Sequence, residues 1–160
     1  MRIRPVGPDE ADALRDIRLR ALGDSPHAYF GSVETEAAQP LEHWREWTDD
    51  PQKVVFIAEV DGRWLAMAAA FVDSSWPGTV CLWWLWVAPE ARGGGLAGRL
   101  LEARAEWARA RNATRLEVAV AQDNEPALAL YADLGFTPTG ERRTMASDPN
   151  RAGMFLALAL

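Results

Sequence analysis

The chain has 160 residues, 49% hydrophobic and 25% charged, which is enough for one domain that buries roughly 70% of its unfolded surface without a staple. Its formal net charge of −6 excludes a general nucleic-acid surface, because such binding rests on Lys and Arg neutralising many phosphates. A single cysteine, no apolar run of about 18 residues and no signal-peptide pattern exclude a disulfide scaffold and a membrane span, and set the expectation of a reducing cytoplasm.

Ile3 to Val6 predicts a short strand. Pro8 to Asp12 then starts a helix, with Asp9 as N-cap and Leu14, Ile17, Ala21 and Leu22 on its apolar face. Between Ser25 and Pro40 the pattern breaks up around Pro26, Gly31 and Pro40, which predicts a long irregular connection before Leu41 to Trp47 turns helical again. Val54 to Val60, Trp64 to Val72 and Thr79 to Val87 read as three antiparallel strands, separated by Asp61-Gly62 and the turn-rich Asp73 to Gly78. Val80 to Val87 is apolar at every position, so it is expected to be central and covered on both faces. Alternation sets Trp84 and Trp86 on one face of that strand and Trp83, Leu85 and Val87 on the other. Cys81, inside the same run, is expected to be buried and inert.

Beyond Pro89, the run Arg92-Gly93-Gly94-Gly95-Leu96-Ala97-Gly98 leads from strand to helix, and Leu96, Leu100, Ala103, Trp107 and Ala110 supply that helix with an apolar stripe. Glycines at a helix start build an anion site: the first N–H groups have no intrahelical partner, the dipole favours negative charge, and no side chain intrudes. Arg115 to Val120 alternates as a strand should, so a parallel pair joined by a right-handed crossover follows. Asn124-Glu125-Pro126 opens another helix, with Asn124 as cap, and Gly135 closes it. Phe136 to Thr144 and Met154 to Leu160 predict two last strands around a polar loop, Ala146 to Gly153.

The anion has several readings. Gly93, Gly95 and Gly98 satisfy a dinucleotide fingerprint, but Ala88 to Arg92 separates them from the strand, and Glu117 lies mid-strand where that fingerprint needs an acid at a strand end. A triphosphate loop is excluded, since no Gly-Lys-Ser or Gly-Lys-Thr follows.

The second segment decides between them. Arg92-Gly93-Gly94-Gly95-Leu96-Ala97, preceded by Val87-x-Pro89, together with Asn124, Ala127, Tyr131, Gly135 and Phe136, resembles the GNAT superfamily of acyl-coenzyme A dependent N-acetyltransferases. The resemblance covers Thr79 to Thr137 closely. It implies a single α/β (α+β) domain over residues 1–160, with a mixed, mostly antiparallel sheet of about seven strands flanked by about four helices. It further implies acetyl-CoA as co-substrate. Backbone N–H groups of Gly93, Gly94, Gly95, Leu96, Ala97 and Gly98 would hold the pyrophosphate, main-chain groups of Leu85, Trp86 and Val87 would pair with the pantetheine arm, and Arg92 and Asn124 would lie against the cofactor. Tyr131 would protonate the departing thiolate, whose ordinary pKa is near 8.5, and a backbone N–H near Val87 would stabilise the oxyanion.

An alkyl ammonium has a pKa near 10, so the attacking amine needs a base or a water relay. The Glu that relatives often carry on the strand before the glycines is absent here. Glu34 and Glu36, in the irregular connection that lines the acceptor site in that family, are the expected substitutes, with Asp73 behind them. Trp84 or Trp86, with Tyr29 and Phe30, would shape a pocket for an apolar or aromatic amine, or stack on a cationic one. No metal is expected, as His27, His43 and Cys81 show no ligand spacing. The implied function is transfer of an acetyl group to a primary amine of a small molecule or of a protein or peptide, by a chain for which a homodimer is compatible. A non-catalytic acyl-CoA sensor and a dinucleotide-dependent oxidoreductase are the alternatives.

Overall fold

The computed structural model describes residues 1–145 and 148–160. Seven strands, β1 (Arg2–Pro5), β2 (Lys53–Val60), β3 (Arg63–Val72), β4 (Thr79–Val87), β5 (Arg115–Ala121), β6 (Thr137–Met145) and β7 (Asp148–Ala159), lie in one sheet in the order β1-β2-β3-β4-β5-β7-β6. All neighbours are antiparallel except β4 and β5, whose crossover through a helix makes them parallel.

Among the described residues, five α-helices cover this sheet: α1 (Ala11–Asp24), α2 (Val33–Ala37), α3 (Leu41–Asp49), α4 (Leu96–Arg109) and α5 (Glu125–Asp133). Strand periodicity sorts them into two layers. The pairs Val55–Ala69 and Ile57–Met67 point into one core with Leu14 and Ile17 of α1 and Trp44 of α3. Their neighbours Val54–Ala70 and Ala58–Ala66 point the other way, against Leu100, Leu101 and Ala105 of α4.

Five local expectations need correction. Asp9 does not cap α1: Pro8–Glu10 is a 3-10 turn in which Glu10 accepts the Gly7 N–H at 2.8 Å while Arg4 holds its carboxylate at 2.7 and 2.8 Å. The irregular connection contains α2, because Ser32 Oγ accepts the Thr35 N–H at 3.2 Å and so starts a helix. The buried stripe of α4 is rotated to Leu96, Leu100, Leu101, Arg104, Ala105 and Ala108, since Arg104 turns inward; Ala110 is exposed. Of the predicted loop Ala146 to Gly153, Ala146 and Ser147 lie outside the described residues, and the rest is already strand β7.

The fifth correction shapes the molecule. Trp83 pairs with Ala69 and Trp86 with Met67, so Trp84 and Leu85 together face the single residue Ala68, and Trp84 adopts φ 59°. This is a β-bulge, and it breaks the expected alternation. Trp83, Trp84 and Trp86 all end on the α1–α3 side: Trp47 meets Trp84 at 4.2 Å and Trp83 at 6.0 Å, while Trp86 belongs to the same core. Trp83 remains 48% exposed, so β4 is not covered on both faces.

Candidate active site

The parallel pairing of β4 and β5 runs from Thr79–Arg115 to Leu82–Val118 and stops there. Beyond that point β4 bulges at Trp84 while β5 stays paired with β7 to Ala121, and a cleft of about 1130 Å³ opens between the two strands. The splay leaves one edge of β4 without a sheet partner. Its carbonyls turn to side chains instead: Tyr29 Oη donates to Leu85 O at 2.9 Å, and Arg92 Nε donates to Val87 O at 3.0 Å.

The N-terminus of α4 opens onto one end of the cleft. Gly93 and Gly95 take φ 80° and 75°, in the region that disfavours side chains, and a Cβ at either would meet nothing within 4 Å. Arg99, donating to Gly95 O at 3.2 Å, is the first helix residue whose amide bonds a carbonyl. The N–H groups before it have no intrahelical acceptor. Gly93, Gly95, Leu96, Ala97 and Gly98 line the cleft; Gly94 does not. Arg92 is at the mouth, where it bonds Asp24, a carboxylate that also accepts the Trp86 indole N–H at 2.9 Å. Those donors, led by the indole, hold the Asp24 carboxyl below its ordinary pKa.

Further in, α5 supplies a wall. Asn124 Oδ1 accepts the Ala127 N–H at 3.2 Å and caps the helix, leaving its NH₂ group for the cleft that it lines. Tyr131, one helical face away, is buried edge-to-face on Phe136 at 5.1 Å. Burial raises its phenol pKa, and the neighbouring Arg104 guanidinium pulls the other way.

The side opposite α5 is aromatic. Phe71, Trp76, Trp83, Trp84, Phe30 and Phe155 border it, with Trp76 44% exposed. Carboxylates lie among them. Burial most of all, then the Glu117 and Asp73 carboxylates, pushes the Cys81 thiol up to about 11, so Cys81, half-buried rather than buried, lines the cleft as a protonated thiol. Asp73 Oδ1 accepts the Ser75 N–H at 2.8 Å, whereas Glu117 is ion-paired to Arg115.

Of the carboxylates read from the irregular connection, Glu34 is exposed on α2 and off the cleft, whereas Glu36 lines it. Glu36 grips Arg18 at 2.7 and 2.8 Å, and the Arg18 guanidinium lies 4.5 Å from the Tyr29 ring and 4.8 Å from the Trp84 ring. Sequence reasoning missed Arg18 and Arg104. The available signal was positional, for each arginine falls within the apolar stripe of its helix. The arrangement as a whole suits a long ligand with an anionic head at α4 and a reactive end at the bulge. Among the described residues, no cluster of three or more metal-ligating side chains is present.

A family model described as the acetyltransferase (GNAT) family matches residues 14–136. The chain is 29% identical over 137 residues to the mycothiol acetyltransferase of Beutenbergia cavernae, covering 86% of this chain, and 29% identical over 86 residues to the L-2,4-diaminobutyric acid acetyltransferase of Nocardia farcinica, covering 54% of it. It spans only 45% of the length of each of these two relatives. The crystal structure of ribosomal-protein-alanine N-acetyltransferase from Brucella melitensis superimposes with a TM-score of 0.81 at 23% identity over 100% of both chains, which shows a shared fold.

Proposed function

The chain belongs to the GNAT family of acetyltransferases, and on that premise we propose that it transfers an acetyl group from acetyl-CoA to the primary amine of an apolar small molecule or peptide. Residues 1–160 act in this reading as one N-acetyltransferase domain, in a cytoplasmic setting that the unpaired Cys81 favours. The relatives' names attach acetyl transfer to small molecules and to a ribosomal protein, which supports an amine acceptor without selecting one. The parting of β4 from β5 beside the glycine turn, with Tyr131 on the wall, is the observation that carries the reading.

The cleft fits the family's donor, acetyl-CoA, because its glycine turn presents amides where a Cβ would stand in open space. Amides from Gly93 to Gly98 receive the pyrophosphate, with Gly94 acting through its backbone position in the turn. Leu85, Trp86 and Val87 offer main-chain groups along the open edge of β4; the Leu85 and Val87 carbonyls each keep a second lone pair beside the donor they already hold. Arg92 and the Asn124 NH₂ group flank this track.

Bound acetyl-CoA supplies a thioester carbonyl that an amine attacks directly, without an acyl-enzyme. A backbone N–H near Val87 faces the developing oxyanion. Tyr131 donates its proton toward the departing sulfur. Glu34, exposed and off the cleft, leaves the base role, and Glu36 is held by Arg18, so the role passes to Asp73, whose second oxygen accepts no hydrogen bond among the described residues. The ring-lined side, rimmed by Asp73 and Glu117, takes a cationic amine on an apolar or aromatic body. Replacing Tyr131 by Phe tests the assignment: kcat falls by about 100-fold while the KM for acetyl-CoA changes little, and an unchanged kcat overturns the acid role.

A further inference from the structure

Among the described residues three arginines line the cleft, and two of them are held by carboxylates: Arg18 by Glu36 and Arg92 by Asp24. Arg143 of β6 is exposed, and among the described residues no carboxylate pairs with it. Strand register locates it. Arg143 pairs with Gly153 of β7, and Gly153 pairs with Ala121 of β5. The pairing of β4 with β5 ends at Leu82–Val118; carried on in parallel, it would set Leu85 level with Ala121. Arg143 therefore stands across the parting from Leu85, at the level of the bulge. The same registers fix its side of the sheet. Val118 and its partner Leu156 pack in one core with Leu101 and Tyr131, so Phe155 and, opposite Gly153, Arg143 point to the other side, where Phe30 and the tryptophans lie. There the Arg143 guanidinium lies 5.3 Å from the Phe155 ring, and Phe30 covers Gly153 so closely that a Cβ would come within 2.9 Å of its ring. Tyr29, next in the chain, bonds Leu85 O on the far side of the gap, so residues 29 and 30 bridge the parting beside Arg143. A second donor is left over on this side: Arg18, 2% exposed and packed on Tyr29, has an Nη1 without a partner.

We propose that Arg143 binds a carboxylate of the acceptor, and that the acceptor is a free α-amino acid with an apolar or aromatic side chain. The proposal rests on the reading of the chain as an amine acetyltransferase and narrows its substrate. An unopposed guanidinium beside the place where an alkylammonium arrives and sheds its proton repels a simple amine. A carboxylate on the acceptor offsets that repulsion, and a guanidinium grips it through two parallel N–H···O bonds. In an amino acid the amine and the carboxylate sit on one carbon, so Arg143, level with Leu85, holds the one while the other faces the thioester. The side chain then runs along Phe155 toward Trp83 and Phe71, whose rings meet at 4.6 Å. The pyrophosphate of the coenzyme is not the target, because α4, whose first amides are proposed to receive it, packs on the opposite face of the sheet.

Initial rates of thiol release test this with phenylalanine, leucine and methionine, each against its own amide, which keeps the shape and removes the charge. In the wild type at least one free acid exceeds its amide in kcat/KM by about tenfold or more; Arg143→Met brings the two within about twofold, Arg143→Lys keeps part of the difference, and the KM for acetyl-CoA changes little in either variant. Amides that react as fast as the acids overturn the proposal, as does a preference that survives Arg143→Met or a loss confined to the KM for acetyl-CoA. A second readout needs no turnover: with coenzyme A bound, the preferred acid raises the thermal midpoint, its amide does not, and Arg143→Met abolishes the rise. A charge-dependent rise without thiol release from any acceptor overturns acetyl transfer and leaves the carboxylate site standing. Neither a rise nor release overturns both.

Discussion

Glu36 holds the guanidinium of Arg18 through both its oxygens, at 2.7 and 2.8 Å, and Arg18 is 2% exposed. The pair ties α1 to α2 beneath the acceptor side of the cleft, and it presses Arg18 against the bulged Trp84. Space is tight there: a Cβ on Gly31 would come within 2.3 Å of Glu36 Oε1. Glu36→Ala leaves the buried cation without its counter-charge and costs about 3 kcal/mol. The thermal midpoint then falls by on the order of 10 °C. Adding Arg18→Met recovers most of that loss, because the orphaned charge is gone. An unchanged midpoint for Glu36→Ala would show that Arg18 does not depend on it.

Gly95→Ala separates ligand binding from folding. At φ 75° an alanine is strained by about 1 kcal/mol, yet its methyl meets no protein atom within 4 Å. The stability loss is therefore small, whereas the methyl stands in front of the amides proposed to receive the pyrophosphate. Initial-rate kinetics should show the KM for acetyl-CoA rising by about tenfold with kcat nearly retained. Wild-type KM would place the anion elsewhere.

Cys81 borders the cleft, and its raised thiol predicts that it stays out of the proposed chemistry. With its thiol pushed up to about 11, it carries little thiolate at pH 8, and iodoacetamide labels it at least about tenfold more slowly than free cysteine. Cys81→Ala keeps kcat within about twofold. Rapid labelling together with a large loss of turnover would contradict this.

Asp24 makes the fold sensitive to acid. Its carboxyl is held below 3.8 chiefly by the Trp86 indole N–H, so the native state binds this proton less readily than the unfolded chain. The stability it contributes is present above about pH 4 and is lost as pH falls through the lower native value. Thermal midpoints of wild type and Asp24→Asn should differ most at neutral pH and converge toward pH 2. A gap that is constant with pH would mean that the carboxylate charge is not what matters.

Local chemistry made much of this legible in the sequence. The glycine turn at Gly93 to Gly98, the Asn124 cap and the closing Gly135 each depend on residues a few positions apart, and each stands where spacing puts it. Features that depend on distant partners were hidden. The positive φ of Trp84 is stabilised by Trp47 and Arg18, from other elements, and only that bulge brings Trp86 onto the α1–α3 side that Trp83 already faces. Arg18 and Arg104 read as ordinary polar residues until Glu36 and Ala69 are seen against them. Glu34 and Glu36, two positions apart, are told apart only by the way α2 docks on α1.

The most direct measurement of the central claim is release of free thiol from acetyl-CoA, followed with phenethylamine, an aliphatic diamine and a short peptide as acceptors. The account predicts amine-dependent release that is fastest with the aromatic amine and largely lost in Tyr131→Phe. Acetyl-CoA that binds, as shown by a rise in thermal midpoint, but yields no amine-dependent thiol would contradict it and assign the cleft to a sensor of acyl-CoA.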